Sequence, residues 1–403
     1  MTATLETAPT LATPPTTGHP ERTTPSVDLV AGIAPVAGDP SAATRPTSST
    51  TTPVDAARLR AAKVAYTTRH LAARLAEDAE DLHLLAGADV APRAGDVVLA
   101  RVVSMGHHKK VPGAGGRRQT LYPGDEVLVA YGDRYAPDQF EAVVPGSLAH
   151  THLAAAGGLA ADVVERHGRT EAPTVLEPLG LLAQADGRRI TLRDVSPCAV
   201  STEPTPTRRD TATRTVVVLG SSMNAGKTTV VANIVRGLSR AGLTVAAGKA
   251  TGTGAWGDPG LFTDSGAAKV LDFTDFGYGS TFRLDLEETG HLVRSVRDEL
   301  AADAPDVVVV EIADGLFQRE THHLLHDGSL ADADGIVLAV GEALGAVAGV
   351  RTLREAGLPV VGVSGAVTAS PLASREAAAV LDLPLVDTFT LSEPETVRAL
   401  LGL

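Results

Sequence analysis

Apolar and polar positions change rhythm several times along the chain. Residues 1–52 ("MTATLETAPTLATPP…RPTSSTTTP") show no apolar periodicity and are rich in Thr, Pro, Ala and Ser. Such a segment buries too little apolar surface to offset its ordering entropy, so a disordered tail is expected. Within 53–92, Ala, Leu and Arg recur at helical spacing over 54–85 ("VDAARLRAAKVAYTTRHLAARLAEDAEDLHLL") without an internal Gly or Pro, predicting a helical segment, long or broken once. From 93 to 196 short alternating runs ("GDVVLARVVSMG", "PGDEVLVAYG", "DQFEAVVP", "EPLGLLAQADGRRITL") predict a small β-barrel or sandwich, with Asp186-Gly187 as a hairpin turn. A Pro/Thr-rich linker is expected over 197–212. In 213–403 the runs become continuous: "RTVVVLG", "LTVAAGKA", "DVVVVEIA", "GIVLAV" and "LPVVGVSG" alternate with helical stretches. Strands apolar on both faces predict an α/β fold with a parallel sheet, whose ligands sit at the carboxyl ends of the strands.

Composition narrows the function classes. A net charge of -13 argues against a nucleic-acid or anionic-membrane partner, because both are held by Lys/Arg clusters. Cys198 is the single cysteine, which leaves no disulfide framework or Cys-rich zinc site and fits a cytoplasmic setting. No apolar run reaches the length of about 18 residues needed for a membrane helix.

The chemistry concentrates in "VVVLGSSMNAGKTTVVANIV" (216–235). Glycines there let the backbone turn tightly and the helix N-terminus favours an anion. Lys227 reaches the β- and γ-phosphates of a nucleotide and Thr228 ligates magnesium. Ser222, Asn224, Ala225, Gly226 and Thr229 complete the expected phosphate loop. The strict pattern G-x-x-x-x-G-K-[ST] needs Gly at 221, where Ser221 stands; Gly220 and Gly226 are one residue too far apart.

That spacing resembles the loop of dethiobiotin synthetases and related deviant P-loop NTPases. "GKATGTG" is similar to their Lys-x-x-x-(Ser/Thr)-Gly element, "GLFTDSGAAKV" to their Gly-Leu segment with a magnesium-binding Asp, and "DVVVVEIADG" to their strand ending in an acidic metal ligand. The resemblance covers 214–403. It implies that Lys249 faces the reacting phosphate and that Asp264 and Glu311 join Thr228 as magnesium ligands. Partitioning ATPases carry a signature lysine where this chain has Ser222. GTPases of the class read guanine with Asn/Thr-Lys-x-Asp, and "VVGVSGAVTASP" has none, so ATP is the expected nucleotide. A second resemblance is to two-domain proteins, some of them amino-acid N-acyltransferases, on "TGTGAW…TDSGAAKVLDFTDFGYGSTF"; the β-rich 93–196 does not match that family.

Glu311 follows four valines at a strand end, where an unused charge would be costly. Asp314, just beyond it, is a candidate for positioning a substrate or water. His322 and His326 share a helical face but lack an evident third metal ligand. "GHHKK" (107–110) with Arg117 and Arg118 is a local basic patch. Trp256 is expected to anchor packing, and Asp272, Asp275 and Ser280 to lie on a flexible loop near the site. The expectation is a Mg2+- and ATP-dependent homodimeric enzyme that activates a small carboxylate or carbamate by phosphoryl transfer. The alternatives are a nucleotide switch acting on a protein partner and an amino-acid N-acyltransferase.

Overall fold

The computed structural model describes residues 49–77, 79–202 and 213–403. Most of the expected tail (1–48) and most of the expected linker (203–212) lie outside the described residues. Thr50–Pro53 (β1) is already a strand, paired with β3, so the expected tail runs too far. The expected helical segment folds instead as short pieces: α1 (Ala56–Ala61), β2 (Lys63–Val64), α2 (Leu71–Glu77) and β3 (His83–Ala86). Ala62 closes α1 with extended backbone (ψ 146), which sends Lys63 and Val64 into a parallel pairing with β7 and buries Tyr66. Helix propensity differs by only ~0.7 kcal/mol per residue among ordinary side chains, less than the burial of one Leu or Tyr returns.

The next part is all strand: β4 (Val97–Ser104), β5 (Lys110–Pro112), β6 (Arg118–Thr120), β7 (Glu126–Tyr131), β8 (Arg134–Tyr135), β9 (Phe140–Val143), β10 (Thr151–Ala155), β11 (Leu159–Arg166) and β12 (Thr174–Ala183). The pairings β4–β7, β7–β11, β11–β10, β10–β12 and β12–β4 close a ring. That ring is a small barrel, filled by Val98, Val102, Val129, Leu153 and Leu176. Gly187 donates its N–H to the Gln184 carbonyl at 3.0 Å, closing the expected Asp-Gly turn.

The second half comprises β13 (Arg214–Gly220), α3 (Lys227–Arg240), β14 (Val245–Lys249), α4 (Gly257–Asp264), β15 (Lys269–Asp272), α5 (Leu286–Ala301), β16 (Val307–Glu311), α6 (Arg319–Leu324), β17 (Gly335–Ala339), α7 (Ala343–Glu355), β18 (Val360–Ser364), α8 (Pro371–Val380) and α9 (Pro394–Leu401). Its strands form a six-stranded parallel sheet in the order β15-β14-β16-β13-β17-β18. Helices α3 and α9 cover one face, α5 and α7 the other. Coverage on both faces is why these strands read as unbroken Val/Ile runs. β13 lies between β16 and β17, so the residues that follow β13 and β16 emerge side by side at the carboxyl edge.

The halves share buried contacts. Tyr66 donates its hydroxyl to Asp272 Oδ2 at 2.8 Å; Arg69 bonds Thr274 and the Asp275 carboxylate; His70 Nε2 lies 2.9 Å from Asp275 Oδ1. Asp272 and Asp275 also cap the turn Phe273–Phe276, so they are structural groups and not part of a flexible loop. Trp256 packs edge-on to Tyr66 and over Gly116, where a Cβ would stand 2.2 Å from the indole. It is the packing anchor expected. Cys198 N–H donates to the Asp275 carbonyl at 3.0 Å and Ser201 N–H to Ser295 Oγ at 3.0 Å, so this part of the expected linker lies against the turn 273–276 and α5.

Candidate functional site

The loop after β13 has the geometry of a phosphate loop, joining the end of a buried parallel strand to the start of α3. Asn224 (φ 63) and Gly226 (φ 95) take left-handed backbone, which turns the chain into the N-terminus of α3 at Lys227. The first N–H groups of a helix have no partner within it and face whatever lies before it. Lys227 folds back over Gly220 and donates to the Ser222 carbonyl at 2.9 Å. Gly315, after β16, packs on the loop: a Cβ there would stand 2.9 Å from the Ser221 carbonyl.

Around this loop is a cleft of about 540 Å³. The sheet half contributes Asn224, Gly226, Lys227, Thr228, Thr229, Lys249, Asp258, Glu311 and Asp314 to its wall. Ser222 and Ala225 are expected loop residues that do not line it. Ser222 offers its carbonyl to Lys227, and Ala225 is buried with its carbonyl accepting from Ala366 N–H at 2.9 Å. Asp264 is also absent from the wall. It sits exposed in the last turn of α4, whereas Asp258, in the first turn, reaches the cleft.

The charged groups are tightly coupled. Lys249 pairs with Asp258, and its ammonium lies 3.5 Å from Glu311 Oε1. Burial pushes Lys249 toward neutrality, but Asp258 and Glu311 outweigh it and hold the pKa above the ordinary lysine range. Burial pushes the Lys227 pKa down, opposed by Glu311 and Asp314. Glu311 is 1% exposed and its Oε2 has no partner. Burial raises its pKa, while Lys249, Lys227 and the Thr228 hydroxyl pull it down. Asp314 is likewise raised by burial, with Lys227, Lys249 and Arg134 opposing.

A buried carboxylate oxygen without a partner, beside a hydroxyl and a second carboxylate, is an all-oxygen donor set that suits Mg2+, which takes one or two carboxylates together with phosphate oxygens. Thr228, Glu311 and Asp258 are the side chains that would hold it. Among the described residues no group of three or more His, Cys, Asp or Glu is arranged to bind a metal. His322 and His326 stack with ring centroids 5.0 Å apart.

The barrel half lines the same cleft with His108, Arg134, Tyr135 and Gln139, none of which the sequence singled out as binding residues by itself. The basic patch divides: His108 turns inward, Lys109 pairs with Glu171 at 2.9 Å, and Arg117 and Arg118 are exposed. Asn224 Nδ2 donates to Asp138 Oδ2 at 3.0 Å, a direct bond between the phosphate loop and the barrel.

No protein-family model matches the chain, and no curated protein matches it. Among solved structures it is similar to the signal recognition particle 54 kDa protein of Aeropyrum pernix K1 in complex with GDP (18% identity, 49% of each chain covered, TM-score 0.34). It is similar also to a DUF1611 family protein of Anabaena variabilis (15% identity, covering 55% of this chain and 66% of that one, TM-score 0.37). A third is cobyrinic acid a,c-diamide synthase of Mycobacterium smegmatis with bound ADP and magnesium (16% identity, 47% and 94% covered, TM-score 0.32). The match spans about half the length of the first of these. Likeness this distant says nothing of activity or substrate.

Proposed function

We propose that the protein is an ATP- and Mg2+-dependent enzyme that activates a small carboxylate- or carbamate-type metabolite by phosphoryl transfer, as dethiobiotin synthetase-like ligases do. The observation that carries this reading is the convergence of Lys227, Lys249, Glu311 and Asp314 on one cleft with a second protein wall. A nucleotide held only as a switch needs the loop; it does not need a walled space beside the terminal phosphate.

In this reading the N-terminus of α3 and Lys227 bind the β- and γ-phosphates. Thr228, Glu311 and Asp258 hold the metal, which when bound neutralises charge on the phosphate oxygens. Lys249 is held by Asp258 and Glu311 at the carboxyl end of β14, where it faces charge that develops during transfer. Asp314 orients the acceptor. No guanine-reading Asn/Thr-Lys-x-Asp follows β18, which supports ATP over GTP.

The test is ATP turnover with magnesium across a panel of small carboxylates and amines. Release of ADP stimulated by one small molecule, with oxygen from an 18O-labelled carboxylate appearing in phosphate, supports the proposal. Stimulation by a protein alone, with every small molecule inert, contradicts it and fits a switch.

A further inference from the structure

Arg134 opens β8 in the barrel half and is 6% exposed. Its Nη1 donates to the Ala154 carbonyl and lies 3.1 Å from His108 Nε2, and its Nη2 donates to Gln139 Oε1 at 2.8 Å. Nε has no partner. All of these partners are neutral. Asp138 and Asp314 act on the guanidinium only through space, and burial draws its pKa down to about 10. Three other well-covered arginines among the described residues have a carboxylate in direct contact: Arg69 with Asp275, Arg189 with Asp96, Arg297 with Asp332. A buried cation without a counter-ion is unfavourable unless something else supplies the anion. Arg134 lines the same cleft as Lys227, and both act on Asp314.

We propose that Arg134 is the anion-binding residue of the barrel wall, receiving an oxyanion in the cleft so that the binding site is completed only by both halves of the chain. The proposal rests on the reading of the cleft as a phosphoryl-transfer site and deepens it. The oxyanion is either the terminal phosphate of the nucleotide or a carboxylate of the acceptor, and a planar guanidinium suits both. The β8–β9 hairpin that carries Arg134 on its strand carries Asp138 in its turn, and Asp138 is bonded to Asn224 of the phosphate loop. A loop that settles on phosphates is therefore linked through Asp138 to the hairpin that presents Arg134.

The experiment compares wild type, Arg134→Gln and Arg134→Lys by titration calorimetry. The probes are Mg-ADP, Mg-β,γ-imido-ATP, and orthophosphate and succinate, each of the last two with and without Mg-ADP. The expected result is that Arg134→Gln binds Mg-ADP within about threefold of wild type and loses on the order of tenfold or more on a probe carrying the extra oxyanion, with Arg134→Lys recovering part of the loss. A loss confined to imido-ATP assigns the terminal phosphate, and a loss confined to succinate assigns an acceptor carboxylate. Arg134→Gln matching wild type on every probe overturns the proposal. So does a general loss, Mg-ADP included, with a lowered melting temperature and a fully wild-type Arg134→Lys, which marks a structural cation. Orthophosphate and succinate without nucleotide keep this result separate from the larger reading, which fails on its own if wild type binds no Mg-nucleotide.

Discussion

Lys227 lies directly over Gly220: a Cβ built on that glycine would stand 2.8 Å from the lysine Cδ and 2.9 Å from its Nζ. The glycine is thus the floor on which the Lys227 ammonium, proposed to bind phosphate, rests. Gly220→Ala should fold with nearly unchanged stability, because the obstructed group is a flexible side chain, and should lose on the order of tenfold in Mg-ATP affinity as Lys227 is displaced. Calorimetry and a denaturant melt on the same variant check both halves. A large loss of stability with intact affinity would contradict it.

Glu311 is almost fully buried and has one carboxylate oxygen without a partner. Glu311→Gln should keep nucleotide binding in the absence of metal, abolish most of the magnesium-dependent gain in affinity, and lower turnover. Full activity across magnesium concentrations would mean that the residue is structural.

His108 is kept neutral by burial first, then by Arg134 and His107, which lower its pKa to about 3. The unfolded chain takes up the proton near pH 6.5, so between the two values it binds a proton that the folded state refuses. The contribution is complete above pH 6.5 and is lost progressively as pH falls toward 3. At pH 5 this one residue should cost about 2 kcal/mol of stability relative to pH 7. Urea midpoints at the two pH values should therefore fall further in wild type than in His108→Gln; parallel falls would contradict the burial argument.

Arg69 faces Asp275 and Asp272 where the halves meet, and stacks its guanidinium 4.1 Å from the centre of the Tyr66 ring. Removing it leaves two buried carboxylates without their cation. Arg69→Ala should destabilise by roughly 3–5 kcal/mol. Asp275→Asn in the same background should couple to it in a double-mutant cycle, and strictly additive losses would show that the contact carries no interaction energy.

The parts that chemistry repeats along the chain were the legible ones. β13, β14, β16, β17 and β18 show as Val/Ile runs because both faces are covered, and the motif reading that selects Lys227, Thr228 and Glu311 selects residues that line one cleft. β15 is not legible in the sequence, since its four residues carry no long apolar run. The helical reading of 53–92 failed because strand pairing with β7 and β12 overrode local propensity. Asp264 was selected by resemblance to a motif, but α4 begins at Gly257 and presents its first turn to the cleft, so Asp258 arrives there instead. A signal was present: an acidic residue at a helix start shortly after the strand that carries Lys249. Arg134 had none, because its meaning depends on the two halves closing around one space.

Lys249 separates phosphoryl transfer from switching. An interaction made mainly in the transition state lowers the rate and spares binding. The decisive measurement is the single-turnover rate of ATP cleavage together with ATP affinity, both on Lys249→Ala and in the presence of the acceptor found by the metabolite panel. The account predicts affinity within a few-fold of wild type and a rate lower by on the order of 10² to 10³. Unchanged rate with unchanged affinity would contradict it.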